Sequence, residues 1–326
     1  MSQILKTTSV GSFPKPPELM EARIRFRKGD ITRDQLSAAE REATKAVIRL
    51  QEDLGLDILV HGEMERGDMV AYFAETWQGF EESLPVRSYG NRYYRKPIVV
   101  GRVGAKRGLT VEAWKEAQAL TAKPMKGMLT GPYTICDWSF NAFYPDRRSL
   151  VLDLAEIVHQ EALALEEAGA EYIQIDEPAI STRPEELELA IEAMAVVTTG
   201  LNTHTISHIC YGDFDTIYPK LLDLPVDQLD LEVANQGFQL LDLIAAHPWP
   251  KQKELALGVV DVHSHGLESI ASVKEGIYKA LETVPADRLY IDPDCGLKTR
   301  TWEEAEAKLR LMMEAVREVR QELGSE

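Results

Sequence analysis

His208 and Cys210 stand one residue apart, and Cys295 closes the run Asp292-Pro293-Asp294-Cys295 far down the chain. If 203–210 is a strand, its alternation turns His208 and Cys210 to the same side. An imidazole with thiolates is a set of borderline and soft donors that suits Zn²⁺ far better than Mg²⁺ or Ca²⁺. Glu232, at the end of the next candidate strand, is placed to add a carboxylate to Cys295 as third and fourth ligands. Taken alone His-x-Cys is a weak signal, because a core histidine beside a core cysteine also produces it. Cys295, directly after a candidate strand, is harder to explain as packing. Cys136 has no partner at ligand spacing and reads as a structural thiol, and three widely spaced cysteines do not make a disulfide framework. Asp261-Val262-His263-Ser264-His265 offers a second chemistry, since His-x-His at a strand end also opens metal-dependent hydrolase sites. Those sites need further His and Asp, whereas the other candidate residues here are Cys and Glu. His61, beside Glu63, reads as a packed core histidine. Tyr133 and Trp138 are open to two readings, a stacking platform for a flat ring or rim packing.

Short β-branched runs at 7–12, 57–63, 125–132, 172–178, 203–210, 228–235, 255–263 and 289–295 are the candidate strands that must hold these residues. Amphipathic helices lie between them. Leu36, Ala39, Ala43, Val47, Leu50 and Leu54 form one apolar stripe, opened by a Thr32/Gln35 capping box. Leu150, Leu154, Ile157, Ala162 and Leu165 form another, with Gly169 placed to end it. A third runs through Leu309, Met312, Val316 and Val319 after a Thr301/Glu304 box. Eight strands alternating with helices predict a single-domain (β/α)₈ TIM barrel over 1–326, with a doubly wound open sheet as the competing topology. Segments 87–102 and 103–114 fit the alternation poorly and read as an inserted hairpin or loop before the third strand. Ser12, Glu63, Asp176, Glu177, His208, Cys210, Glu232, His263 and Cys295 all fall at or near strand C-termini, the rim where such barrels place their chemistry.

Composition narrows the function classes. The 326 residues carry 36 Lys plus Arg against 53 Asp plus Glu, a net charge of −17 that disfavours a nucleic-acid partner. With 44% hydrophobic residues the chain can bury a large core, and no apolar run is long enough to cross a membrane. The N-terminal residues lack a secretory-type apolar stretch, so a cytoplasmic location is expected. Against the acidic background, Arg87, Arg92, Arg95 and Lys96 make a local basic cluster, either a solvated loop or a contact for an anionic donor.

Five motifs occur in order: Thr8-Ser9-Val10-Gly11-Ser12-Phe13-Pro14; His61-Gly62-Glu63-Met64-Glu65-Arg66-Gly67-Asp68-Met69-Val70; Ile173-Gln174-Ile175-Asp176-Glu177-Pro178-Ala179; His208-Ile209-Cys210-Tyr211; and Asp294-Cys295-Gly296-Leu297-Lys298-Thr299-Arg300. Together they resemble the catalytic half of cobalamin-independent methionine synthases. The resemblance implies a (β/α)₈ barrel that methylates homocysteine, with one zinc held by His208, Cys210, Glu232 and Cys295. It also implies that Val10, Gly11, Ser12, Glu63 and Asp176 hold the amino and carboxylate groups of homocysteine, and that His263 is the catalytic proton donor.

Two departures bear on the methyl donor. The resemblance implies, for the long folate-dependent enzymes, an Arg-Cys pair where Arg92 is here followed by Tyr93, and a folate-binding Glu where this chain has Thr182. Trp138 is retained at the pterin-stacking position. The chain therefore resembles the short "core" members of the family that lack the N-terminal barrel, and methylcobalamin or a methylated corrinoid protein is the expected donor, with Trp138 and Arg92 as donor-binding residues. Methyltetrahydrofolate is the alternative, and His263 favours it, because a tertiary amine leaves only when protonated whereas Co(I) needs no proton.

Overall fold

In the computed structural model, residues 4–87 and 93–324 are described. Nine strands lie among the described residues: β1 (Gln78–Arg87), β2 (Tyr93–Gly104), β3 (Lys126–Thr130), β4 (Phe140–Asn141), β5 (Tyr172–Asp176), β6 (His204–Ile209), β7 (Gln228–Leu231), β8 (Glu254–Gly258) and β9 (Leu289–Asp292). Six form a sheet in the order β3-β5-β6-β7-β8-β9, with β5/β6, β7/β8 and β8/β9 all parallel. The first two expected strands are reduced to isolated parallel bridges: Thr7 to Ile291, Ser12 to Gly62, and Leu59 to Met125. These bridges continue the succession from β9 through 7–12 and 57–63 to the start of β3. With the six strands of the sheet they make a mostly parallel arrangement, and the architecture is the expected (β/α)₈ barrel type.

The expected insertion is real but begins earlier than 87. β1 and β2 pair antiparallel from Gln78↔Gly104 to Arg87↔Tyr93, and β4 joins β2 to make a separate three-stranded sheet, β1-β2-β4. Alternating Val, Phe and Tyr among charged residues supports pairing along this stretch, and that period differs from the helical one sought around it. After β2, segment 103–114 runs into the helix Val111–Gln118.

Two compact units can be distinguished: Met1–Glu65, Ala113–Lys126 and Asp227–Glu326 make up the first, and Arg66–Glu112 and Gly127–Val226 the second. Within the first, the helix Arg33–Leu54 carries the reciprocal box, Thr32 Oγ1 accepting from Gln35 N at 3.3 Å and Gln35 Oε1 from Thr32 N at 2.9 Å. Its Gln51 is fully buried on the apolar face and bonds both N–H and C=O of Val60, tying the helix to segment 57–63. The helix Trp302–Glu322 has the same box from Thr301 and Glu304 and buries Leu309, Met312, Val316 and Val319, as the stripe predicts. In the second unit, the helix Arg147–Glu167 starts on an Asp146 cap, and Gly169 at φ +102° follows its end. No helix among the described residues is long and apolar enough to cross a membrane.

Candidate metal and substrate site

The first unit places Ser12, Glu63, Glu232, His263 and Cys295. Ser12 is locked into the backbone on both sides: Phe13 N bonds Gly62 O at 3.1 Å, and Leu297 N bonds Ser12 O at 2.7 Å. A Cβ on Gly296 would lie 2.1 Å from Ser12 Oγ, so glycine beside Cys295 is what lets the two segments approach. Glu63 follows Gly62 and is left-handed itself, with φ +56°. That conformation is uncommon for a residue with a side chain and marks positions over-determined by their surroundings. His61, buried as expected, accepts from Glu63 N through Nδ1 at 3.1 Å, so its role is to hold that bend.

Glu232 follows β7 directly and is 1% exposed. Its Oε1 lies 3.3 Å from His263 Nε2 and also takes a hydrogen bond from Asn235 Nδ2. The bond to Glu232 is the main reason that the His263 pKa is raised, against the opposing effect of burial. Asp294 ties the segment after Glu232 to the one carrying Cys295: fully buried, its Oδ1 accepts from Val233 N at 2.9 Å and Ala234 N at 2.8 Å, and its Oδ2 from Asn235 N at 2.7 Å. Burial pushes the Asp294 carboxyl up to about 7, while those three amides pull the other way.

The second unit places Asp176, His208, Cys210 and Trp138. Asp176 ends β5, and its Oδ1 accepts from Gln174 Nε2 at 2.7 Å, two residues back on the same face. Glu177 turns away from that face to cap the helix Pro132–Asp137, taking Tyr133 N (3.0 Å), Thr134 N (2.7 Å) and Thr134 Oγ1 (2.6 Å). Its own N–H goes to His208 O at 2.9 Å, so one residue ties the ligand strand β6 to the helix that ends at Trp138. Burial raises the Glu177 pKa to about 7. Tyr133 is fully buried and bonds Glu186 through its hydroxyl, which settles it as packing; Trp138 keeps part of its surface exposed. Cys136 is buried, and desolvation drives its thiol up to about 12.

The donor atoms of His208, Cys210 and Cys295 lie within 4.8 Å of one another. In a tetrahedral zinc site, bonds of about 2.3 Å to sulfur and about 2.0 Å to nitrogen set donors roughly 3.5–3.8 Å apart, so one imidazole and two thiols in this arrangement fit that ion. Glu232 is outside this group and faces His263. Arg92 lies outside the described residues. Of the rest of the basic cluster, Arg95 pairs with Glu82 at 3.5 Å, and Lys96 donates to Asp137 O and sits 4.5 Å over the Phe140 ring.

Fold and site together define a (β/α)₈ barrel protein in which one imidazole and two thiols make a candidate metal site. The chain belongs to the family described as "Cobalamin-independent synthase, Catalytic domain", matched over residues 5–318. It is 40% identical to the 5-methyltetrahydropteroyltriglutamate--homocysteine methyltransferase of Nitratidesulfovibrio vulgaris over 98% of its length, and 41% identical to that of Bacillus licheniformis, also over 98%. It spans only 42% and 43% of those relatives. Among solved structures, a B12-independent methionine synthase from Shewanella sp. W3-18-1 in complex with selenomethionine matches at 27% identity and TM-score 0.86, covering 98% of this chain and 99% of that one. A Listeria monocytogenes chain at 22% identity and TM-score 0.78 shares the fold.

These relationships overturn the expectation of a methylcobalamin or corrinoid-protein donor. The family is cobalamin-independent, and the relatives are named for a methyltetrahydropteroyl donor. Thr182 in place of an expected Glu misled because the lack of one carboxylate does not decide the donor; its hydroxyl closes a local turn on Ala179 O at 2.8 Å. Asp294 was missed as a site-building residue, and Glu177, expected on the rim, was given no role of its own. Each sits beside a motif carboxylate or thiol, and only the fold reveals which backbone amides it collects.

Proposed function

We propose that residues 1–326 act as one catalytic domain that transfers a methyl group from a 5-methyltetrahydropteroyl donor to the thiol of homocysteine, using a zinc ion held by His208, Cys210 and Cys295. The observation that carries this reading is the grouping of one imidazole and two thiols within ligand distance. Bound zinc would supply the positive charge that brings a thiol's pKa down toward neutrality, where the nucleophilic thiolate predominates. The chain's own residues do the rest. The Val10-Gly11-Ser12 segment holds the amino-acid carboxylate, and Glu63 and Asp176 pair with its ammonium, fixing the sulfur relative to the donor methyl and making the transfer effectively unimolecular. His263, supported by Glu232, delivers a proton to N5 of the donor as the N–CH₃ bond breaks and the S–CH₃ bond forms, so the amine departs neutral. In this reading Glu232 holds the proton donor while the three other residues hold the metal, and Trp138 keeps a partly open face for the pterin ring.

The test is a single turnover of zinc-loaded protein with homocysteine and methyl-labelled 5-methyltetrahydropteroyltriglutamate. Labelled methionine is expected, and its yield should drop sharply in His263→Gln. Zinc-replete protein that produces no methionine would instead favour a binding role.

A further inference from the structure

Lys308 is 0% exposed in its side chain, although it lies on the apolar face of the helix Trp302–Glu322 beside Ala305, Leu309 and Met312. Its Nζ donates to Gly266 O at 2.6 Å and to both Glu268 oxygens at 3.2 Å. Glu268 Oε1 also accepts from Asp261 N at 2.9 Å, and Asp261 Oδ1 accepts from His263 N at 2.7 Å. Ammonium, carboxylate, amide and second carboxylate thus form a continuous chain from the outer helix to the backbone of His263. A second tie, His265 Nδ1 to Glu304 Oε1 at 2.8 Å, fastens the same loop to the same helix, but at an exposed position.

Burying an ammonium–carboxylate pair is a poor way to gain stability, because desolvation offsets most of the attraction and an apolar residue of similar volume serves as well or better. The surrounding stripe is apolar, so a methionine at 308 would continue it. What the ion pair adds is direction: it fixes where the 261–268 loop sits. We propose that Lys308 and Glu268 are positioning residues for His263, holding the loop that presents its imidazole to Glu232. This rests on the reading of His263 as the proton donor. Neither residue touches substrate; each acts through the loop, and a proton donor displaced by a fraction of an ångström to an ångström loses much of its effect.

The test compares Lys308→Met, Glu268→Ala and Glu268→Gln in the zinc-loaded protein. Gln keeps an acceptor for Asp261 N but neutralises the partner of the buried Lys308 ammonium, so its loss should be smaller than that of Ala. Ala and Lys308→Met should lower kcat about tenfold or more, leave KM for homocysteine within about twofold, and retain full zinc. Independently of activity, hydrogen exchange over 261–268 should quicken in the same two variants and less in Glu268→Gln. If Lys308→Met fails to fold, the Ala/Gln pair carries the test alone. Unchanged exchange overturns the tether. Faster exchange with unchanged kcat overturns the catalytic consequence, and His263→Gln then separates the causes: if it too keeps its rate, the proton-donor reading fails, and if it is impaired, the positioning claim alone does.

Discussion

Asp294 offers the most quantitative check on how the site is built. Its carboxylate takes three consecutive amides, Val233, Ala234 and Asn235, just after the strand that delivers Glu232, and it immediately precedes Cys295. Asp294→Ala orphans all three. Val233 is fully buried, so its N–H loses a partner with no water to replace it, at about 1–3 kcal/mol. Ala234 and Asn235 lie nearer solvent and should lose about 0.5–1.5 kcal/mol each. The sum, about 2–6 kcal/mol, is a large share of the roughly 5–15 kcal/mol that holds a typical domain together. Asp294→Asn is a graded control. Its Oδ1 can keep the Val233 and Ala234 bonds while its amide faces the Asn235 N–H, so the loss should be about 1–2 kcal/mol. The assay is equilibrium urea unfolding of metal-free protein at about pH 8.5, which lies above the Asp294 value of about 7 and removes zinc linkage from the comparison. Asp294→Ala within about 0.5 kcal/mol of the parent, or Asn as damaging as Ala, would refute the capping argument.

Two further predictions concern the second unit. A Cβ on Gly131 would stand 2.1 Å from Glu177 Cδ, and the carboxylate cannot retreat without releasing the Tyr133 and Thr134 amides. Gly131→Ala should therefore cost about 1–3 kcal/mol by the same unfolding measurement, through space and not backbone conformation, since φ is −72°. A midpoint unchanged from the parent would contradict it. Cys136, with its thiol raised to about 12, has only about 10⁻⁴ of its population as thiolate at pH 8, against about a quarter for an ordinary thiol. After zinc chelation, iodoacetamide mapped by mass spectrometry should modify Cys136 about three orders of magnitude more slowly than a free cysteine peptide in the same solution, and a rate within tenfold of that peptide would sink the assignment.

Much of this protein is legible in its residues because its signals are local. The Thr32 and Thr301 capping boxes and the Gly169 stop depend on neighbours a few positions away, and the structure places them where their patterns predict, while β5 and β6 end at Asp176 and Ile209, short of the expected 178 and 210. The strands at 7–12 and 57–63 were legible as apolar runs but not as bridges, because ladder length depends on partners far along the chain. The hairpin was half legible, since β-branched and aromatic alternation begins at Gln78, among charged residues that mask it. Asp294 and Lys308 look like ordinary charges in sequence, and Glu177 reads as one more rim carboxylate. Their roles depend on burial and on backbone amides or carbonyls gathered from distant segments. Thr182 shows the opposite error, in which a residue type was given a ligand-related meaning that its local hydrogen bond explains.

Zinc analysis of the protein and its ligand variants bears most directly on the three-residue centre. Purified chain supplied with zinc and then dialysed should hold about one zinc per chain by elemental mass spectrometry, while Cys210→Ser and Cys295→Ser should each lose most of it and Cys136→Ser should keep it. Full zinc in both ligand variants, or zinc lost only with Cys136, would contradict the assignment of His208, Cys210 and Cys295 as the metal site.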